Sequence, residues 1–441
     1  MKVVIGVHHF PPHHIGGGEN EAYRVAKGLL DRGHEVNVIC VEDIQTGSAP
    51  GLFFIDDLYK GVPVRRLFYN HHLIPDKTRF EYDNPWIGDH LKMFLAEQVP
   101  DIYFQISGYL LTGSTLRAAA ELGLPVVVEL TEFWFLCPRI NMLKSDGRLS
   151  SLPFNPVNCA RCLGEEKRRF RIPGKLVPGV MEQYWRQQKV PINQIEQRSI
   201  SLNNTLAGVD QFISPSRFLR EMYIESGLPE DKIIFIRQGV ELAGNRTQSL
   251  VTQKSDKLRI GYLGQIAPHK GTLLLAQAIK SISDPRLKAS FYGDTLTNPG
   301  YVNEIRQLIA NDSRMELAGT YHSPAELEKI LLNLDVLVMT SVWYENSPTV
   351  ILEAYSCNTP VIAAKLGGMA ELVQDGQNGF LFEPGNAADL AVKIKRLLDQ
   401  KELLQEFQGN IAPVKTVKQQ IDEFENLFIS IAMKKTVEAQ A

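Results

Sequence analysis

Residues 2–41 read KVVIGVHHFPPHHIGGGENEAYRVAKGLLDRGHEVNVICV. The run Lys2–Val7 is short and β-branched, as a buried strand requires. A Pro-, His- and Gly-rich loop follows. From Asn20 to Arg32 the apolar residues Ala22, Val25, Ala26, Leu29 and Leu30 recur at helical spacing, and Gly33 ends that helix. HEVNVICV (34–41) is the next strand. Strand, glycine loop, helix and strand make a βαβ unit, which commits the chain to a parallel sheet.

The same rhythm runs outward. Strands are expected at Asp101–Ile106, PVVVEL (125–130), QFISPS (211–216) and KIIFIRQGV (232–240), with helices at Gly113–Leu122 and Arg217–Ser226. Residues 138–200 break the pattern; they are polar, Pro-rich and basic, and are expected to be an irregular insertion. Residues 243–257, AGNRTQSLVTQKSDK, are polar without periodicity and read as a linker. A second βα series follows from LRIGYLGQ (258–265) to a helix over 386–399. The chain of 441 residues exceeds what one hydrophobic core supports, so two domains are expected. Their bounds are 1–242 and 258–412, with 413–441 as a helix crossing back to the N-terminal domain.

Composition excludes several classes. Hydrophobic residues at 44% and charged residues at 22% are those of a soluble globular protein. The net charge of −3 gives no general attraction to nucleic acid. No run approaches the roughly 18 apolar residues of a membrane span. A cytoplasmic location is expected. Five cysteines are too few and odd in number for a disulfide framework. Cys137 with Cys159 and Cys162 suggests a metal knuckle, but a fourth ligand is missing, so an unliganded thiol cluster is the preferred reading and no metal is expected. Cys40 and Cys357 read as small core residues. Lys167, Arg168, Arg169, Arg171 and Lys175, interleaved with Phe170, Ile172 and Leu176, read as a solvated loop or as peripheral contact with the inner face of an anionic membrane.

Three βα loops carry chemistry. In WYENSPTVILEAYS (343–356) a strand ends near Trp343, Ser347 is a good N-cap, and Pro348 suits the first helical position. Such a helix start presents N–H groups and a positive dipole end to a phosphate. Glu345 sits at its mouth and Glu353 one to two turns in; each can bind hydroxyl groups, unless they serve only as a solvated and a structural glutamate. In GQIAPHKG (264–271) the glycines permit backbone approach and Lys270 offers a charge to a phosphate, against a plain βα turn. It matches neither the P-loop nor the dinucleotide fingerprint. In PPHHIGGGE (11–19) Gly16 and Gly17 can bring N–H groups to a phosphate, against a flexible lid.

Together these stretches resemble glycosyltransferase family 4 over nearly the whole chain. The resemblance is most specific in LGQIAPHKG (263–271), in the Glu345–Glu353 pair, and in EAYSCNTPVIAAKLGGMAELVQDGQNGFLFEPGN (353–386). The opening PPHHIGGGENEAYRVAKGLLDRGHEV (11–36) and FWFLCPR (133–139) are similar too. It implies a GT-B fold, two Rossmann-like doubly wound domains facing each other across a cleft. It also implies retaining, metal-independent transfer of a hexose from a nucleotide sugar, with no cofactor. The partners it implies are a UDP-sugar donor, most simply UDP-glucose, and a glycan or lipid-linked acceptor in polysaccharide or glycoconjugate biosynthesis. By the motif, Glu345 contacts the donor sugar, the amides of Asn346, Ser347, Pro348 and Thr349 hold sugar and phosphate, and Glu353 binds the ribose. Lys270, with Gly264 and Gln265, neutralises the diphosphate, and Gly16 and Gly17 close over it.

Two positions depart from the family. Gln265 stands where an arginine is common, which leaves Lys270 more of the charge. Thr131-Glu132 stands where His-Asp usually precedes FWFLCPR. Thr131, Glu132, His13 and His14 are acceptor-side or sugar-contact candidates. The alternatives are a catalytically silent nucleotide-sugar-binding scaffold or regulator, which Thr131 favours, and an epimerase or phosphorylase on the same fold.

Overall fold

The computed structural model describes residues 1–241 and 256–440. The expected linker at 243–257 lies, up to residue 255, outside them. The chain forms two compact units: Met1–Pro215 with Leu219–Ile236 and Gln420–Ala441, and Ser216–Phe218 with Arg237–Gln419.

The first unit is built on an eight-stranded sheet. Its spatial order is Leu52–Tyr59, Val62–Tyr69, Glu35–Asp43, Lys2–Val7, Ile102–Ile106, Val126–Glu129, Gln211–Ser214 and Ile233–Phe235. All neighbours are parallel except the first two, which form an antiparallel hairpin. That hairpin was not expected from the sequence. Its outer strand LFFIDDLY is almost wholly exposed and shows no inside–outside alternation. The local signal was the turn: Lys60 and Gly61 have φ of 47° and 85°, the double positive φ of a tight two-residue hairpin. Asp56 and Asp57 pair with Arg65 and Arg66 across it at 2.7 and 2.8 Å, protecting the sheet edge with charge.

The helix Val417–Gln440 completes this unit from Gln420 onward. Phe424 and Phe428 are fully buried and lie 5.7 and 5.1 Å from Phe104 in the central sheet. Ile421 packs on Gly28 so closely that a Cβ there would stand 2.8 Å from it. Glu425 binds Arg32 and His34 at 3.2 and 2.7 Å. Burying rings of this size is worth about 3–5 kcal/mol each, judged by truncation to alanine.

Residues 138–155 form no helix or extended strand, as expected, whereas residues 156–200 are largely helical. They hold the helices Pro156–Gly164, Arg168–Leu176, Pro178–Arg186 and most of Lys189–Ala207. The prolines misled: Pro156 and Pro178 open helices, where the missing N–H costs nothing, and Pro191 lies in the first turn of the last. The basic run is therefore helical, not a loop.

The second unit has six parallel strands: Met315–Gly319, Leu287–Tyr292, Leu258–Leu263, Val336–Met339, Val361–Ala364 and Gly379–Phe382. Numbered by appearance the order is 3-2-1-4-5-6, the doubly wound arrangement, with one contiguous apolar core.

Candidate active site

In a doubly wound sheet, ligands bind beyond the carboxyl ends of the strands where the winding reverses. In the second unit that point lies between Leu258–Leu263 and Val336–Met339, which pair directly. Their loops are 264–271 and 340–348, and these carry Lys270 and Glu345.

The two loops are pinned together. Thr340 Oγ1 donates to the Lys270 carbonyl at 2.9 Å, and Val342 N–H to the His269 carbonyl at 2.9 Å. Gly271 must be glycine: its φ is 67°, and a Cβ would stand 2.1 Å from the Thr340 carbonyl oxygen. This contact sets the end of Lys270 beside Glu345.

Glu345 is 8% exposed, and three donors converge on its Oε1. They are Lys270 Nζ at 2.7 Å, Ser341 Oγ at 2.6 Å and Trp343 Nε1 at 2.8 Å. The Lys270 ammonium also lies 4.8 Å from the Trp343 ring centroid. Burial works to raise the Glu345 carboxyl, but Lys270 and the two further donors hold it below the ordinary carboxylate range. Among the described residues Oε2 accepts no hydrogen bond, so this oxygen is available to a ligand hydroxyl. The Glu345 carbonyl accepts from Gly368 N–H at 2.7 Å. A Cβ at Gly368 would meet the Asn346 oxygen at 1.7 Å. The pair Gly367-Gly368 thus shapes the Glu345–Asn346 backbone, a role missed in the sequence along with Thr340, Ser341 and Trp343.

The helix runs over Thr349–Ser356. Pro348 is its N-cap and Ser347 is not. Pro348 is extended, with φ −67° and ψ 99°, and the first helical residue is Thr349. The Ser347 Oγ is buried with no hydrogen-bond partner among the described residues. Glu353 is half-buried on this helix. Burial pushes the Tyr321 hydroxyl up to about 12, with the Glu353 charge adding to it. Gln265 is exposed, and its carbonyl accepts from the Tyr262 hydroxyl at 2.7 Å. Gly264 has φ 146°.

In the first unit the winding reverses between Lys2–Val7 and Ile102–Ile106. Gly16 is the N-cap of the helix Gly17–Leu30, and a Cβ on Gly17 would meet nothing within 4 Å. Beyond the other strand Ser107, Leu110 and Thr112 all have positive φ, 69°, 60° and 64°. Left-handed non-glycine residues are costly and cluster at functional sites; no feature of SGYLLT announces them. Ser107 Oγ donates to Glu132, which also accepts from Trp134 N–H. Desolvation nevertheless keeps the Glu132 carboxyl above its ordinary range. Thr131 precedes it, half-buried.

His13 and His14 stand elsewhere. They line a cavity of about 710 Å³ with His9, Glu42 and Arg66. His13 Nδ1 is 2.8 Å from Glu42 Oε1, His14 Nε2 is 3.1 Å from the Glu42 carbonyl oxygen, and His14 stacks on His9 at 3.9 Å. The acceptor-side candidates therefore divide between this cavity and the strand end at Thr131-Glu132.

All five cysteines are free. Burial, with Cys162 nearby, raises the Cys137 thiol, and burial, with Cys137 and Cys162 nearby, pushes Cys159 up to about 12. Among the described residues no group of three or more His, Cys, Asp or Glu is placed to hold a metal ion.

Residues 247–413 match the family model described as glycosyl transferases group 1. A sulfoquinovosyl transferase of Arabidopsis thaliana is 33% identical over 37% of this chain and 31% of its own length. A lipopolysaccharide 1,2-N-acetylglucosaminetransferase of Salmonella typhimurium is 30% identical over 44% of this chain and 54% of its own. The chain thus spans about a third to a half of the length of the curated relatives it matches. Among solved structures, Anabaena Alr3699/HepE in complex with UDP and glucose superimposes with a TM-score of 0.64 at 19% identity, covering 98% of this chain and 100% of its own. Sucrose-phosphate synthase of Thermosynechococcus elongatus reaches 0.63 at 16% identity over the full length of both chains. The chain therefore has the GT-B fold of two Rossmann-like domains, and its second unit is similar in sequence to the group 1 glycosyl transferases.

Proposed function

We propose that the protein is a retaining, metal-independent glycosyltransferase that moves a hexose, glucose from UDP-glucose, to a glycan or lipid-linked acceptor in polysaccharide or glycoconjugate biosynthesis. The observation that carries this reading is the Lys270–Glu345 pair, 2.7 Å apart at the reversal point of the unit that matches the family model. Glu345 keeps Oε2 for donor-sugar hydroxyls, while Lys270 meets the diphosphate that leaves as an anion. Glu353 takes the ribose, and the amides of Asn346 to Thr349 take sugar and phosphate. Gly16 and Gly17 keep the diphosphate role that the family resemblance gives them. Catalysis then rests on positioning and leaving-group stabilisation. UDP and glucose in the Anabaena structure support this choice of donor.

Incubation with UDP-glucose, UDP-galactose, UDP-GlcNAc and GDP-mannose, with released nucleotide as readout and Glu345→Ala as control, tests it. Release from UDP-glucose, lost in the variant, is expected. Release from GDP-mannose alone would overturn the donor assignment.

Two observations favour a second reading, a silent nucleotide-sugar-binding scaffold: Thr131 replaces the family's histidine, and Ser107 and Trp134 engage Glu132. This reading predicts UDP binding without release of nucleotide from any donor, acceptor present or absent.

We further assign the lipid-linked class of acceptor. The helices Arg168–Leu176 and Pro178–Arg186 expose Ile172, Leu176, Val177 and Val180 beside Arg168, Arg169, Arg171 and Lys175. Apolar side chains among cations suit an anionic lipid surface. Among the described residues no helix is long and apolar enough to cross a membrane. Co-sedimentation with phosphatidylglycerol vesicles, absent with phosphatidylcholine and reduced by Leu176→Asp, is the expected result; equal sedimentation with both lipids would count against it.

A further inference from the structure

The helical lobe of the first unit contains a second cavity, of about 290 Å³, which no step of the transfer reaction uses. Phe170, Trp185, Leu163 and Ile195 supply apolar and aromatic wall. Trp185 is 5% exposed, and Phe170 meets it edge-on at 5.3 Å. Its indole packs so tightly on Gly164 that a Cβ there would stand 1.9 Å away, which makes the ring a fixed wall. The Trp185 Nε1 is buried with no hydrogen-bond partner among the described residues.

Arg198 lines the same cavity from the helix Lys189–Ala207. It is 7% exposed, yet among the described residues it forms no ion pair. One donor is committed, to the Trp134 carbonyl, and the guanidinium lies 5.1 Å from the Trp134 ring centroid. Burial brings its pKa down to about 10, against the pull of Cys137, Tyr223, Glu132 and Glu81. A buried guanidinium with no carboxylate in direct contact is an expensive arrangement that a bound carboxylate relieves. Lys167 lines the cavity and is exposed, and Glu81 contributes an acid. Two cations against one carboxylate suit an anion of single charge better than a dianion.

We propose that this cavity binds an organic monoanion, a carboxylate carried on a compact apolar ring or chain, with Arg198 holding the carboxylate and the Trp185–Phe170 wall receiving the apolar part. Its volume lies at the lower end for small-molecule sites. The site stands whether or not the chain transfers sugars.

The test is calorimetric titration of the full chain, without nucleotide sugar, with benzoate, phenyl phosphate and neutral benzamide. Benzoate is expected to bind one to one, about tenfold tighter than benzamide, and tighter than phenyl phosphate. Arg198→Met should abolish the preference for benzoate over benzamide while benzamide binding stays. Because Arg198 is buried, the exposed Lys167→Ala provides a second variant, with a smaller loss for benzoate alone. Crystals of the unaltered chain soaked in 4-iodobenzoate should show anomalous iodine density beside Trp185. Equal affinity for benzoate and benzamide, phenyl phosphate preferred, no saturable binding, or iodine located elsewhere would each overturn the proposal.

Discussion

Glu345 and Glu129 both lie toward the carboxyl end of a parallel strand. Glu129 is the last residue of the strand Val126–Glu129, and Glu345 follows the end of Val336–Met339 by one short loop. Both are buried, at 0% and 8% exposure. Their surroundings are opposite. Three donors, one a cation, meet Glu345 at Oε1. Neither oxygen of Glu129 has a hydrogen-bond partner among the described residues. Burial, then the charge of Glu21, pushes the Glu129 carboxyl well above its ordinary value, and Arg24 only partly offsets them because it pairs with Glu21 at 2.9 Å. In the second unit the surroundings favour the charged carboxylate; in the first the core disfavours it. Burial alone does not decide whether a glutamate favours its charged form; its partners do.

The largest effect expected from this difference is on turnover. Glu345→Gln keeps the shape but weakens the acceptor of the Lys270 bond and of the sugar hydroxyls. Nucleotide release should fall by about 10²–10³, the range for removing one preorganised electrostatic contact. Glu129→Gln should leave it unchanged. Steady-state release by both variants decides the matter; equal losses would erase the distinction between the two sites.

Next is Lys270→Ala. Turnover should fall about 10²-fold, because the departing diphosphate loses its cation. The fold should lose about 1–3 kcal/mol, since Glu345 keeps Ser341 and Trp343 but not its counter-charge. The pH dependence has a definite sign. The folded Glu345 value lies below the ordinary glutamate value of 4.5, so the ion pair's stabilisation is complete above that value and disappears as pH falls through the folded one. Urea unfolding of parent and variant between pH 3 and 7 should therefore converge at the acid end. A gap that widened with acid would show that Lys270 does not hold Glu345 charged.

The converse applies to Glu129. Its folded value lies above the ordinary glutamate value of 4.5, so its contribution is fully present below that pH and is lost as pH rises through the folded value. Glu129→Gln removes the charge the core resists. Its melting temperature should exceed the parent's by about 2–4 °C per kcal/mol gained, more at pH 8 than at pH 5. Melting curves at the two pH values measure this. A variant less stable than the parent at pH 8 would mean that an ion or water accompanies the charged form.

The sequence shows the charged partners of this comparison more readily than the geometry that joins them. βαβ periodicity exposes both parallel sheets, and Lys270, Glu345 and the glycine loops are legible because glycine and charge mark strand-to-helix turns. Trp343 and Ser341 are not legible as donors to Glu345; only the backbone path through Gly271 and Gly368 brings them there. The left-handed Ser107, Leu110 and Thr112 carry no compositional mark, since strain is imposed by surrounding structure. The hairpin 52–69 hid because its outer strand faces solvent on both sides. The helical lobe hid because prolines that start helices look like prolines that end them.

The smallest effect expected concerns Gly17, at the start of the helix Gly17–Leu30 in the first unit. Its φ is not positive, and a Cβ there would touch nothing within 4 Å, so alanine fits the free chain. At the first position of a helix alanine should even stabilise slightly. Gly271 is the opposite case, where any side chain strikes the Thr340 carbonyl. If Gly17 is glycine so that its backbone can approach a diphosphate, Gly17→Ala should keep or raise the melting temperature while weakening UDP affinity about three- to tenfold, a cost near 1 kcal/mol. Calorimetry with UDP, beside a melting curve, separates the two effects. Unchanged UDP affinity in a fully folded Gly17→Ala protein would remove this loop from the donor site and leave the diphosphate to Lys270 and the helix start at Thr349.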